Sequence, residues 1–286
     1  MCVDAAEYVN RYHPQLYHIT VFHEVPCDYN RRYKDLQQKG HLGDKVTPLE
    51  ALLVEDGSGA VQTSDDFLTE VQGQTAFRIQ SVDPLSPDSF ENRAQRAWMD
   101  FLKKKGNLYS WISVRIGDRS VGLITFELYS KVLPRTCQNF WLLCRGDVGT
   151  VISETDGGPV QLTYKGTTFF RILRDTWVMG GDVTVGHTGN GVYSCYGQNM
   201  PDESFHIPHD GPGILGMCND GPNTSASSFY ITLKKMSWMN GRYVAFGRVI
   251  DGMDVLDAIH DAETKHNQSP MESILIDDCG VLNEGM

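Results

Sequence analysis

Between residues 108 and 128 apolar and polar positions alternate. In LYSWISVRI, Ile112, Val114 and Ile116 face one way and Ser113 and Arg115 the other; after the turn GDRS, Ile124, Phe126 and Leu128 alternate with Thr125 and Glu127. A period of two predicts a β-hairpin with one buried face. The period then changes. Cys137, Phe140, Trp141 and Cys144 recur at the spacing of a helix that buries one stripe, with Pro134 in its first turn and Gly146 at its end. A second short helix is predicted over 252–260, with Val255, Leu256 and Ile259 inward. Two helices among many short strands predict a mainly β architecture, a closed barrel with helices plugging its ends. Residues 149–161 read as a polar surface loop. Residues 188–226 are rich in Gly, Pro, Asn and Ser yet carry apolar stretches such as GILGM, which predicts an ordered, winding loop region of the kind that carries function on a rigid scaffold.

The first 106 residues are patterned differently. LYHITVFH reads as a strand, CDYNRRYKDLQQKG as a helix ending at Gly40, LEALLVED as a strand or helix, and QTAFRIQS as a strand. In SPDSFENRAQRAWMDFLKKKGN, Ser89 or Asp88 caps a helix with Phe90, Ala94, Ala97 and Trp98 on one face and three lysines near its C-terminus. The order strand–helix–strand–strand–helix fits a small α/β, thioredoxin-like domain. Only Cys27 follows its first strand, which favours a docking module over redox chemistry. The expected division is therefore an N-terminal α/β extension, 1–106, and a barrel domain, 107–286.

Composition narrows the chemistry. The 286 residues are 41% apolar and 21% charged, ordinary for a globular chain, and their net charge is −11. No basic run exceeds KKK at 103–105, so a nucleic-acid footprint is not expected. No apolar stretch reaches the roughly 18 residues of a membrane span. The opening residues lack the basic start and apolar core of a secretory signal. Seven cysteines without a CxxC pair predict reduced thiols and a cytoplasmic address. Nine histidines show no HxxxH or HxH spacing, so no metal site is expected, and no GxGxxG joins a strand to a helix, so no nucleotide cofactor is expected either.

One stretch raises a specific question. FFRILRDTWVMGGD, residues 169–182, sets a permanent cation, Arg171, among aromatic and aliphatic residues and then breaks the strand with two glycines before Asp182. One reading makes Arg171 a structural ion-pair partner of an acid such as Asp182. The other comes from a resemblance. The blocks VGLITFELYSKVLPRTCQNFWLLCRG, YKGTTFFRI, MGGDVTVGHTGNG, GPGILGMCNDGPNTSASSFYITL and WMNGRYVAFGRVIDGMDVL resemble the cyclophilin family in order and spacing over about residues 107–283, closest to divergent isomerase-like cyclophilins with an N-terminal extension. The resemblance implies an eight-stranded antiparallel barrel capped by two helices and peptidyl-prolyl cis–trans isomerase ancestry, with no cofactor, because the reaction only rotates a bond. It makes Arg171 the catalytic residue of a proline-binding groove. Rotation about X–Pro must break amide resonance, a barrier of about 18–20 kcal/mol. A guanidinium that donates to the prolyl nitrogen stabilises the twisted state, the more so in a partly dry groove.

The same resemblance places the groove on Thr176, Met179, Met217, Cys218, Asn219, Ser228, Tyr230, Trp238, Met239 and Tyr243. Arg171, Met217, Asn219 and Trp238 agree with the family. Tyr230 stands where the family has phenylalanine on the pocket floor, and its hydroxyl needs a partner. Met239 replaces leucine at near-constant volume. Four positions depart further: Thr176 for a phenylalanine wall, Met179 for the glutamine that orients the arginine, Ser228 for a second groove glutamine, and Tyr243 for a histidine that closes the pocket. A thioether is a poor acceptor, so Arg171 loses its orienting partner and reduced activity is expected. Arg174 and Asp175 replace Pro-Gly, which predicts a backbone shift there. Two functions follow: a weak isomerase that binds X–Pro segments, or a non-catalytic structural or adaptor subunit of a large assembly such as a ciliary axoneme, with a protein partner held by residues 1–106.

Overall fold

The computed structural model describes residues 2–39, 42, 54–55, 61–79, 86, 89–154 and 157–283. The chain divides into two compact units, Met1–Phe101 and Leu102–Met286.

In the first unit α1 (Cys2–Tyr12), α2 (Pro26–Gln38) and α3 (Ser64–Gln74) accompany two very short paired strands, β1 (Val54–Glu55) and β2 (Val61–Gln62); α4 (Phe90–Lys105) begins in this unit and ends in the second. Ala5 and Val9 of α1 pack on Phe67, Leu68 and Val71 of α3, with Tyr17, Ile19 and Phe77 closing the cluster. Thr63 caps α3, its hydroxyl accepting from the Asp66 amide. The helices expected in CDYNRRYKDLQQKG and in the 90–105 region form, and Ser89 caps the latter by accepting from the Asn92 amide. Ala94 and Ala97, expected on its buried face, are exposed. The strand expected at LYHITVFH does not form. Tyr17, Ile19 and Val21 do alternate in burial with exposed neighbours, but among the described residues no second strand pairs with them. Instead the Asn10 amide takes both backbone bonds of Ile19, donating to its carbonyl at 2.6 Å and accepting from its N–H at 2.8 Å. QTAFRIQS likewise forms no strand among its described residues, since α3 runs through Gln74 and 75–79 are irregular. LEALLVED contributes only Val54–Glu55, and its remaining residues lie outside the described ones. The described part of this unit is thus mostly helical and lacks the strand order of a thioredoxin-like domain.

The second unit is built on β3 (Leu108–Ile116), β4 (Arg119–Leu128), α5 (Pro134–Arg145), β5 (Thr150–Ile152), β6 (Pro159–Gln161), β7 (Phe169–Leu173), β8 (Trp177–Gly180), β9 (Ile214–Met217), β10 (Phe229–Thr232), β11 (Ala245–Asp251), α6 (Met253–His260) and β12 (Ile274–Val281). Eight strands form one antiparallel sheet in the order β12-β3-β4-β11-β9-β10-β8-β7. Its ends approach each other: Thr168 bridges Leu275, Gly166 N–H donates to the Ile276 carbonyl and Ile276 N–H to the Thr167 carbonyl, each at 2.8 Å. The result is a nearly closed eight-stranded barrel. The β3–β4 hairpin buries Ile112, Val114, Ile116, Ile124, Phe126 and Leu128, as the alternation predicts. Helix α5 ends at Gly146, in left-handed conformation, and buries Cys137, Phe140, Trp141 and Cys144. Phe140 sits among Phe126, Tyr164, Phe229 and Phe246, with ring centroids 5.0–5.5 Å away. Helix α6 buries Val255, Leu256 and Ile259. Residues 149–161, expected as a loop, instead hold the β5–β6 hairpin, in which Val151 pairs with the buried Val160.

Candidate functional site

Arg171 leaves the barrel wall at an irregularity. On β7 Phe169 pairs with Gly180, and the next partners are Arg171 and Met179, so Phe170 is an extra residue that bends the strand. The strand opposite ends at Gly180, and Gly181 turns the chain with φ near +80°, where a Cβ would overlap the Phe229 ring. Asp182 follows, fully buried. One carboxylate oxygen accepts from the Thr184 amide and hydroxyl and the other from the Gly189 amide, so it organises the next loop. The Arg171–Asp182 ion pair therefore does not exist. Among the described residues Arg171 makes no hydrogen bond or ion pair, and it is exposed.

The residues expected to hold a proline ring are covered. Met217, Tyr230 and Met239 are 0, 1 and 2% exposed. Tyr230, Met236 and Met239 form one cluster, against which Trp177, Met179, Cys218 and Tyr243 pack. Tyr243 meets Tyr230 edge to face at 5.9 Å, Trp238 meets Tyr243 at 6.1 Å, and Trp177 lies 5.7 Å from Trp238. Gly216, paired with Tyr230 across β9 and β10, leaves the space that the phenol fills; a Cβ there would overlap its hydroxyl.

That hydroxyl has the partner it requires. The Asn240 side-chain oxygen accepts from the His209 backbone N–H at 2.9 Å, which identifies it as the oxygen; it also lies 2.8 Å from His209 Nδ1. Nδ1 must therefore carry the proton, Nε2 is an acceptor, and Tyr230 donates to it at 2.6 Å. Burial holds the His209 pKa below its ordinary value, consistent with this neutral ring, and pushes the Tyr230 phenol well up. Burial likewise raises the Cys218 thiol, with Asp220 adding to it and the Arg171 charge only partly opposing it, which favours the protonated thiol.

The remaining expected groove residues make local contacts of their own. Thr176 lies in the β7–β8 turn, its hydroxyl donating to the Arg174 carbonyl. The amide nitrogen of Asn219 donates to the Arg242 carbonyl at 3.0 Å, so it braces a loop. Ser228 is buried, and its hydroxyl meets no partner among the described residues. Asp175, in the expected Pro-Gly position, has φ near +55° and is held by His260, whose Nε2 accepts from its backbone N–H. Sequence reasoning missed Met236, His209 and Asn240. The signal for His209 was the Tyr230 hydroxyl itself, which in a buried position demands a polar neighbour.

Residues 112–281 match the family described as cyclophilin type peptidyl-prolyl cis-trans isomerase/CLD. The chain belongs to the cyclophilin family. Within this cyclophilin the expected ten groove positions all lie in the matched segment. A Bos taurus protein named probable inactive peptidyl-prolyl cis-trans isomerase-like 6 is 38% identical over 182 residues, covering 64% of this chain and 57% of that relative. The chain thus spans less than two thirds of the relative's length. Among the described residues no helix of this cyclophilin is long and apolar enough to cross a membrane, and no three His, Cys, Asp or Glu side chains gather as a metal site.

Proposed function

We propose that this cyclophilin domain engages X–Pro segments of proteins and isomerises them slowly, with Arg171 as the catalytic residue. One observation carries the reading: Arg171 is exposed, has no hydrogen bond or ion pair among the described residues, and pairs across the sheet with Met179, which packs with Trp177 and Tyr243 on the covered cluster of Tyr230, Met236 and Met239. A proline ring reaches that floor only after Tyr243 and its neighbours move, and this opening adds to the barrier of every turnover. Arg171 faces Met179 rather than a hydrogen-bond acceptor, so its fork is not pre-aimed at the prolyl nitrogen. The name of the bovine relative, which includes the word inactive, agrees with low turnover. The test is cis–trans isomerisation of a proline tetrapeptide by the full chain and by Arg171→Ala. A small acceleration in the wild type, lost in the variant, is expected. Equal acceleration by both removes Arg171 from the chemistry. Background rates in both overturn the enzymatic reading and leave the non-catalytic subunit as the better one.

A further inference from the structure

Two short strands outside the eight-stranded sheet present an open edge. In the β5–β6 hairpin the Ser153 N–H donates to the Gly158 carbonyl at 2.8 Å and the Leu162 N–H to the Gly149 carbonyl at 3.0 Å. Val151 and Val160, two residues from each of these, are the bonded pair between them. Thr150 with Gln161 and Ile152 with Pro159 are therefore the non-bonded pairs, whose backbone groups point away from the hairpin. On the β6 side that outward row is closed. Pro159 has no N–H, and the Gln161 carbonyl accepts from the Thr163 N–H at 3.0 Å. On the β5 side it is open: the N–H and C=O groups of Thr150 and Ile152 meet no partner among the described residues.

The edge is also held in place and apolar. Val160 and Leu162 are buried, the Tyr193 hydroxyl accepts from the Glu154 N–H at 2.8 Å, and the Gln198 amide donates to the Glu154 carboxylate at 2.8 Å. On the other face Thr150, Ile152, Pro159 and Gln161 are exposed, Ile152 at 65%. Proteins blunt exposed edges with lysine, proline or a bulge. β6 carries Pro159, whereas β5 carries none of the three. A fixed edge of this kind accepts an added strand at little ordering cost. Charge selects the occupant. From Gly146 to Leu162 the sequence holds Asp147, Glu154 and Asp156 and no basic residue. Asp147 pairs with Arg145 at 2.6 Å, while Glu154, bonded to a neutral amide, keeps its full charge and meets no cation among the described residues. A second copy laid antiparallel on β5 about Val151 would bring Asp147 of one chain and Glu154 of the other to the same end, like against like. A strand with basic ends gains where a copy would lose.

We propose that the outer edge of β5 is a docking site for an extended segment of another protein, basic at both ends and apolar at its centre, which adds a third strand to the β5–β6 hairpin. The probe is the peptide Lys-Lys-Val-Thr-Val-Thr-Val-Lys-Lys, titrated into the full chain by calorimetry, with amide hydrogen exchange read at Thr150 and Ile152. One control peptide is N-methylated at two adjacent central residues, which removes a donor from each of its edges; another has Glu in place of every Lys. The basic peptide should bind at least about tenfold tighter than either control and should protect both amides. Ile152→Lys, a surface change, should abolish binding at an unchanged melting temperature, and Thr150→Pro, which removes only an outward N–H, should weaken it about tenfold. Equal affinity for the N-methylated peptide overturns the proposal, because the contact is then charge alone. Equal affinity for the acidic peptide, or undiminished binding by a folded Ile152→Lys variant, overturns it too. So does a dimer in sedimentation that Ile152→Lys dissolves, since a second copy then holds the edge. Isomerisation of a proline tetrapeptide is read in parallel, and loss of peptide binding should leave it unchanged.

Discussion

Tyr230 and His209 show how one added oxygen propagates. Phenylalanine on a pocket floor needs no partner, but a buried phenol does, and the 2.6 Å bond to His209 Nε2 supplies it. The bond ties the floor to Asn240, one residue beyond the short 3-10 turn Ser237–Met239 that carries Trp238 and Met239. It also makes the floor sensitive to protons. The folded pKa of His209 lies below its ordinary value near 6.5 because of burial. Between those two values the unfolded chain holds a proton that the folded barrel does not, so stability falls as pH falls through 6.5 toward the folded value. Thermal melts from pH 7 to pH 5 should show a steeper loss for the wild type than for His209→Gln. An identical pH profile for the two would mean that His209 does not report on the fold. Arg171 poses the opposite case: a charge without a partner among the described residues, paired across the sheet with a thioether residue, gains no positional precision from that neighbour.

At the scale of elements, the β7–β8 hairpin concentrates the departures. The extra residue Phe170, the left-handed Asp175 and the turn at Gly181 all lie within it or at its end. Gly181→Ala should destabilise the barrel by about 2–5 kcal/mol, because a left-handed non-glycine residue costs about 1–2 kcal/mol and overpacking against Phe229 costs about 1–3 more. Denaturant unfolding checks this, and a loss under about 1 kcal/mol would show that the loop relaxes freely. The barrel elements were legible because their signals are strong and local: the alternation of Ile112, Val114 and Ile116 with Ser113 and Arg115, repeated from Ile124 to Leu128, and the four-residue stripe of α5. The first unit was less legible. Tyr17, Ile19 and Val21 carry a strand's burial pattern, yet the ladder partner is the side chain of Asn10, which no periodicity announces. The site was partly legible. The resemblance led to Tyr230, Met239, Met179 and Tyr243, which do come together, but residue type alone did not say that they would close over one another.

For the molecule as a whole, fold and site have separated. The barrel keeps a full aromatic core around Phe140 and a sheet that nearly closes, while the surface that defines the family's chemistry is filled by its own side chains. A rigid scaffold with a covered floor would account for the proposed slow turnover without any loss of stability, since the same packing that hides Met217 and Tyr230 contributes to the core. On the proposed reading, closure of the floor and the unaimed Arg171, rather than a damaged barrel, limit the reaction. The direct measurement is kcat/KM for a proline tetrapeptide with wild type and with the double variant Met179→Gln and Tyr243→His. Restoring an acceptor beside Arg171 and a smaller ring over Tyr230 should raise kcat/KM at least about tenfold, equivalent to about 1.4 kcal/mol of barrier. A folded double variant no faster than wild type would contradict the account.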